Sequence, residues 1–204
     1  PSVQVRNGLR PAEFDPVTPE PDLADFLFIG MMRDLKGPDV LIAALKDLEV
    51  RHGRKARSLF VGDGPDLESY VARAAERGLN GNVRFVPPMP AREAFARART
   101  VVVPSRAESR PYIVLETVAA GMPILVTAVG GIPEMLAPEA DRLLRPGDVA
   151  GLADALAGTL ADPAGTAAAA VERRTYFQRR HTLAGMARRV TDFYLAARPD
   201  LATR

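Results

Sequence analysis

The sequence predicts an α/β domain built on a parallel sheet with helices on both faces. Two observations carry that expectation. Short apolar runs alternate with longer segments of helical periodicity, the pattern of strands joined by crossover helices. Each run is followed by Gly or Pro, at Gly30, Gly62, Pro87, Pro104 and Gly130. In a sheet of this kind the ligand binds beyond the carboxyl ends of the strands, and all five positions fall there.

The elements follow in order. Residues 1–25 are rich in proline and acidic side chains, carry the turn signal Asn7-Gly8, and read as a linker leading into the domain. Their first residues, Pro1 to Val5, read as the end of a strand from something larger. Six strands are expected, at residues 26–30, 57–61, 83–86, 101–105, 123–127 and 142–144. Helices are expected from Pro38 to His52, Asp66 to Arg77, Arg92 to Ala98, Pro111 to Ala120 and Pro133 to Leu136, then over 149–161, 163–180 and 182–197. Leu183, Met186, Ala187, Val190, Phe193 and Tyr194 give the last helix an apolar stripe.

Composition narrows the function classes. The 204 residues suffice for one large domain, and the proportions of apolar and charged residues are those of a globular protein. A formal charge of +2 gives no electrostatic footprint for nucleic acid. There is no cysteine, which removes disulfides and thiolate chemistry and fits a reducing, cytoplasmic setting. Arg173, Arg174, Arg179, Arg180, Arg188 and Arg189 make the last quarter basic. A solvated helix face explains them, and peripheral contact with a membrane surface is the alternative.

Chemistry concentrates in the stretch Glu108-Ser109-Arg110-Pro111-Tyr112-Ile113-Val114-Leu115-Glu116. It follows the apolar run at Val101 and reads as strand, loop and helix start, with Pro111 suited to the first helical position. The free N–H groups of a helix start favour a phosphate. Glu108 would face that ligand from the loop. Glu116, about 7 Å further along the helix axis, could accept hydrogen bonds from sugar hydroxyls. The pair therefore suggests a nucleotide sugar. Lys36, with Arg33 before it, follows the first strand and could neutralise a diphosphate; alone the two read equally well as a surface basic pair. Gly62-x-Gly64 lacks the third glycine of a dinucleotide fingerprint, because Leu67 stands there. Asp-x-Asp and Walker patterns are absent, so no metal or other cofactor is expected. His52 and His181 fall on expected helices away from the strand ends and take no catalytic role.

With these residues in place the chain resembles the C-terminal, donor-binding domain of retaining glycosyltransferases of the GT-B fold, in the large family numbered four and also called group 1. The resemblance rests on Glu108-x7-Glu116, with Val103-Pro104-Ser105, Ala120-Gly121-x-Pro123 and Gly130-Gly131-Ile132-Pro133-Glu134 around it. Asn7-Gly8, Lys36-Gly37 and Gly62-Asp63-Gly64-Pro65 match upstream, and Pro146-Gly147-Asp148 downstream, so that it spans residues 5–197.

It implies a Rossmann-like three-layer domain over residues 26–180, with a mostly parallel six-stranded sheet. It makes 1–25 an interdomain linker and 181–204 a closing helix that crosses back to an N-terminal domain outside this chain. It implies a nucleotide-diphospho-sugar donor, with sugar transfer to an acceptor and no turnover by this half alone. Lys36 would bind the diphosphate, the N–H groups of Tyr112 and Ile113 the distal phosphate, and Glu116 the ribose. Val86 would offer peptide groups to the base, and Glu108 would face the reacting sugar as the catalytic group. Two departures stand out. Met31 occupies a position where the family usually carries arginine, for which Arg33 would substitute, and Ser109-Arg110 replaces the common Gly-Phe. A non-catalytic nucleotide-binding or protein-interaction module of the same fold is the alternative; a sugar-nucleotide epimerase has different donor-domain motifs.

Overall fold

The computed structural model describes residues 2–137 and 139–198. Five strands form one sheet: β1 (Ala24–Ile29), β2 (Ser58–Val61), β3 (Val83–Val86), β4 (Ala98–Val103) and β5 (Ile124–Val126). All neighbouring pairs are parallel and the order is β3-β2-β1-β4-β5. Eight α-helices connect and cover them: α1 (Pro38–His52), α2 (Leu67–Glu76), α3 (Ala91–Phe95), α4 (Tyr112–Ala119), α5 (Ile132–Met135), α6 (Val149–Ala161), α7 (Pro163–Gln178) and α8 (Leu183–Ala197).

The three layers follow from side-chain alternation along the strands. Phe26, Phe28, Phe60 and Val102 point to one face, where they pack with Val40, Leu41 and Leu45 of α1, Tyr70 of α2 and Leu152 and Leu156 of α6. Leu27, Leu59, Val61, Val101 and Val103 point to the other, against Phe95, Val114, Leu115, Ile132 and Phe177. Phe60 is fully buried between Phe28 and Phe85, with ring centroids 5.5 and 4.9 Å away. Capping sets several helix starts. Pro38 opens α1, while Asp148, Asp162 and Thr182 accept hydrogen bonds from the N–H groups of Gly151, Gly165 and Gly185 at the starts of α6, α7 and α8.

The sequence expectation is corrected at the sixth strand. Residues 140–142 form a 3-10 turn, and only Leu144 reaches the sheet, through one parallel bridge to Thr127. Its N–H donates to Val126 O at 3.0 Å and its carbonyl accepts from Ala128 N at 2.8 Å. The Arg142 N–H is already committed to Glu139 O, and Pro146 has no N–H to extend the ladder. Two smaller shifts concern β4, which starts at Ala98 and so shortens α3, and Pro111, which caps α4 from outside.

The leading segment packs onto the domain from Leu9 onward. Leu9 and Phe14 are buried, and a 3-10 turn spans Pro11–Phe14. Val3 to Val5 carry no strand. Leu9 bridges Thr182: its N–H donates to His181 O and its carbonyl accepts from Leu183 N, both at 2.8 Å. His181 lies in the break between α7 and α8 rather than on a helix. Its ring stacks on Phe177 with centroids 4.5 Å apart, and its Nδ1 is 3.1 Å from Asn7 O. Burial pushes the His181 imidazole below its ordinary pKa, outweighing the Asn7 contact, and Arg6, Arg110 and Arg180 push the same way. His52 ends α1 and pairs with Asp154. Helix α8 has no buried residue, and Leu183, Val190 and Tyr194 of its apolar stripe are exposed. Residues 199–204 of the expected closing segment, and Pro1 of the expected linker, lie outside the described residues. No described helix is long and apolar enough to cross a membrane.

Candidate functional site

The strand order creates the site. From β1 the chain passes through α1 to β2 on one side, and from β4 through α4 to β5 on the other. The loops leaving the adjacent strands β1 and β4 therefore diverge and leave a crevice at the carboxyl edge, which is where α/β sheets bind ligands. Lys36 comes from the first of these loops and Glu108 from the second.

The two loops are fastened together. Gly37 adopts φ +69°, and a Cβ there would lie 2.2 Å from Pro104 O, so only glycine permits this approach. Arg106 N–H donates to Leu35 O at 2.9 Å. The Arg106 guanidinium grips Asp39 with two bonds of 2.8 and 2.6 Å and donates to Asp34 O at 2.7 Å. Burial alone would raise the Asp39 carboxyl, but the hydrogen bonds and charge of Arg106 together hold it below the usual carboxylate range.

At the crevice the Lys36 Nζ donates to Glu108 Oε1 at 2.7 Å, and the Ser105 hydroxyl donates to the same oxygen at 2.8 Å. The Glu108 side chain is only 8% exposed. Helix α4 begins just beyond. Tyr112 and Ile113 are its first two residues, so their N–H groups find no acceptor in a preceding turn. The bulk of α4 is fixed beneath the site by Val114, Leu115 and Val118, all buried.

Glu116 lies on α4 but makes no bond to Lys36 or Glu108. It is half-buried near the 3-10 turn of the leading segment. Burial raises its carboxyl above the ordinary value, Glu13 adds to the rise and Arg10 opposes it. Arg33 points its Nη1 toward Met31 Sδ, 3.9 Å away, and has no acidic partner among the described residues; Met31 itself is half exposed. At the end of β3, Val86 already gives its carbonyl to Gly62 N at 3.1 Å. Alternation along that edge strand leaves the peptide groups of Phe85 facing outward.

Arg110 does not point freely into solvent. It pairs with Glu134 on α5, covers Gly131, and shares Glu134 Oε2 with Gln4 Nε2, which lies at 3.0 Å. The loop after β5 is fastened to the same region. Gly131 N–H donates to Ser109 O at 2.7 Å, and Gly130 sits against Glu108 O. Sequence reasoning missed Ser105, Thr127, Arg106 and Glu134 as supporting residues. Ser105 and Glu134 lie inside motifs already marked, whereas the Arg106–Asp39 clamp joins residues 67 positions apart and leaves no local trace. The site is an open edge. A cavity of about 420 Å³, lined by Val17, Phe95, Met122 and Leu160, lies instead beneath the amino ends of β1 and β4.

The chain is similar to known proteins in sequence and in fold. The D-inositol 3-phosphate glycosyltransferase of Mycolicibacterium vanbaalenii is 34% identical over 238 aligned residues, covering 95% of this chain and 52% of the relative. The enzyme of that name from Nocardia farcinica is 37% identical over 145 residues, covering 66% and 32%. The chain thus spans about half or less of the length of these relatives. Among solved structures, Anabaena HepE in complex with UDP superposes with TM-score 0.81 at 18% identity, covering 94% of this chain and 57% of that one. The C-terminal domain of the group 1 glycosyl transferase LpcC from Francisella tularensis has TM-score 0.71 at 16% identity, covering 86% and 100%. These two likenesses establish the fold as the C-terminal half of a GT-B architecture. The family model for glycosyl transferases group 1 matches residues 24–162, more than half of the chain, and the chain belongs to that family.

Proposed function

We propose that this chain is the donor-binding half of a glycosyltransferase. It would take a nucleotide-diphospho-sugar and present it for transfer with retention of configuration to an acceptor held by an N-terminal domain. The observation that carries this reading is the meeting of Lys36 and Glu108 in the crevice between β1 and β4, beside the N-terminus of α4. A diphosphate there would meet the cations of the loop after β1, Lys36 and Arg33, and the free N–H groups of Tyr112 and Ile113. Together they stabilise the charge that develops on the departing nucleotide. Glu116, partly desolvated, would accept hydrogen bonds from the ribose. Glu108 would face the sugar, and the open edge near Phe85 and Val86 would receive the base. Crystals of HepE with UDP and UDP-glucose support a donor of this class.

In this reading residues 1–25 are the linker, 26–180 the donor domain and 181–204 the closing segment, and the exposed stripe of α8 is covered by the other half. The chain alone would bind donor without turning it over. The reading also carries a cytoplasmic location, with the exposed Arg179, Arg180, Arg188 and Arg189 available to an anionic membrane surface.

Calorimetric titration with UDP, GDP and ADP, with and without magnesium, tests it. One nucleotide is expected to bind independently of metal, and Glu116→Ala is expected to weaken it by at least tenfold, about 1.4 kcal/mol. Equal affinity of the variant would remove Glu116 from the site. A protein-interaction module of the same fold would bind none of the three.

A further inference from the structure

The pair Lys36–Glu108 poses a difficulty for any anionic ligand, because the cation that should receive the phosphate is already taken. Lys36 makes this single ion pair among the described residues, and a diphosphate must compete for it. The three groups differ in freedom. Ser105 is 1% exposed, and its carbonyl is held by the buried Thr127 hydroxyl at 2.6 Å, so the Ser105 hydroxyl is fixed in place. Glu108 is enclosed beside it. Lys36 is the most exposed of the three, with a flexible four-carbon stem. The lysine is the group able to move.

We propose that Glu108 is a placeholder anion: it holds Lys36 in the free chain and yields it to an incoming diphosphate, while Ser105 retains the carboxylate in position. This rests on the donor-site reading above and adds an exchange to it. Whether the exchange occurs depends on ligand charge. A monophosphate gains little by displacing a carboxylate from the lysine, whereas a diphosphate can engage Lys36 and the start of α4 together. The exchange also withdraws the lysine counter-charge from Glu108 only when the donor is seated. Ser105 is thus a positioning residue, acting through Glu108.

The test is a double-mutant cycle on the 204-residue chain, with UDP, UMP and inorganic pyrophosphate as probes. Glu108→Gln keeps the shape and removes the competing charge, and thermal melting checks that it folds. Glu108→Gln is expected to tighten UDP and pyrophosphate by about tenfold, a change ordinary for a close charge pair, and to tighten UMP by less. In a Lys36→Ala background the same substitution is expected to bring no gain. A gain of equal size without Lys36 would overturn the exchange, since Glu108 would then act by plain repulsion of phosphate. Unchanged or weaker UDP binding by Glu108→Gln would also overturn it, while wild-type binding that is lost with Lys36→Ala would leave the donor reading standing. Absence of UDP, GDP and ADP binding in both wild type and Glu108→Gln would remove both.

Discussion

Gly130→Ala is expected to abolish nucleotide binding and to cost the fold more than about 3 kcal/mol. Two physical terms add. Gly130 sits at φ +56°, where any other residue is strained by roughly 1–2 kcal/mol. A Cβ there would also lie 1.8 Å from Glu108 O, a backbone atom that cannot swing aside. The loop after β5 and the loop carrying Glu108 would have to separate, breaking the Gly131–Ser109 bond and moving Glu108 away from Lys36. Gly53→Ala is the control. It has φ +63° but no atom within 4 Å of its Cβ position, so it carries the strain term alone. Chemical denaturation of both variants, with UDP titration, separates the terms. Equal cost at both positions would mean that the contact with Glu108 has no structural weight.

Phe177→Ala is expected to be the most damaging core substitution outside the sheet, at about 3–5 kcal/mol. Phe177 is fully buried on the face opposite α1, and its ring supports His181. Through His181 it supports the bonds joining Leu9 to His181 and Leu183, the points where the leading segment and α8 meet. The loss should therefore appear locally as well as globally. Urea denaturation gives the cost, and hydrogen exchange is expected to accelerate most at the amides of Leu9 and Leu183. Protection unchanged at those two amides would show that the junction holds without the Phe177–His181 stack.

The sheet was legible because each strand is a local signal, an apolar run closed by Gly or Pro, and the helices because their apolar spacing and caps lie within a few turns. The exception marks the limit of that logic. Leu143-Leu144 has the composition of a strand, yet pairing depends on which N–H groups remain free. Glu139 takes that of Arg142, and Pro146 has none. Lys36, Glu108 and Glu116 could be proposed as site residues from residue type and spacing. Their relations could not. That Lys36 is held by Glu108, that Ser105 shares the same oxygen, and that Arg110 is turned to Glu134 all depend on which loops the strand order places side by side. Arg33 has no acidic partner among the described residues and lies against Met31 Sδ.

The most direct measurement is an amide-resolved NMR titration of the chain with UDP. Donor binding in the crevice between β1 and β4 is expected to shift the amides of Tyr112 and Ile113 most, with Lys36, Gly130 and Gly131 following as the loops adjust. Shifts confined to the opposite end of the sheet, around Phe95 and Met122 beside the 420 Å³ cavity, would contradict the assignment of the donor site.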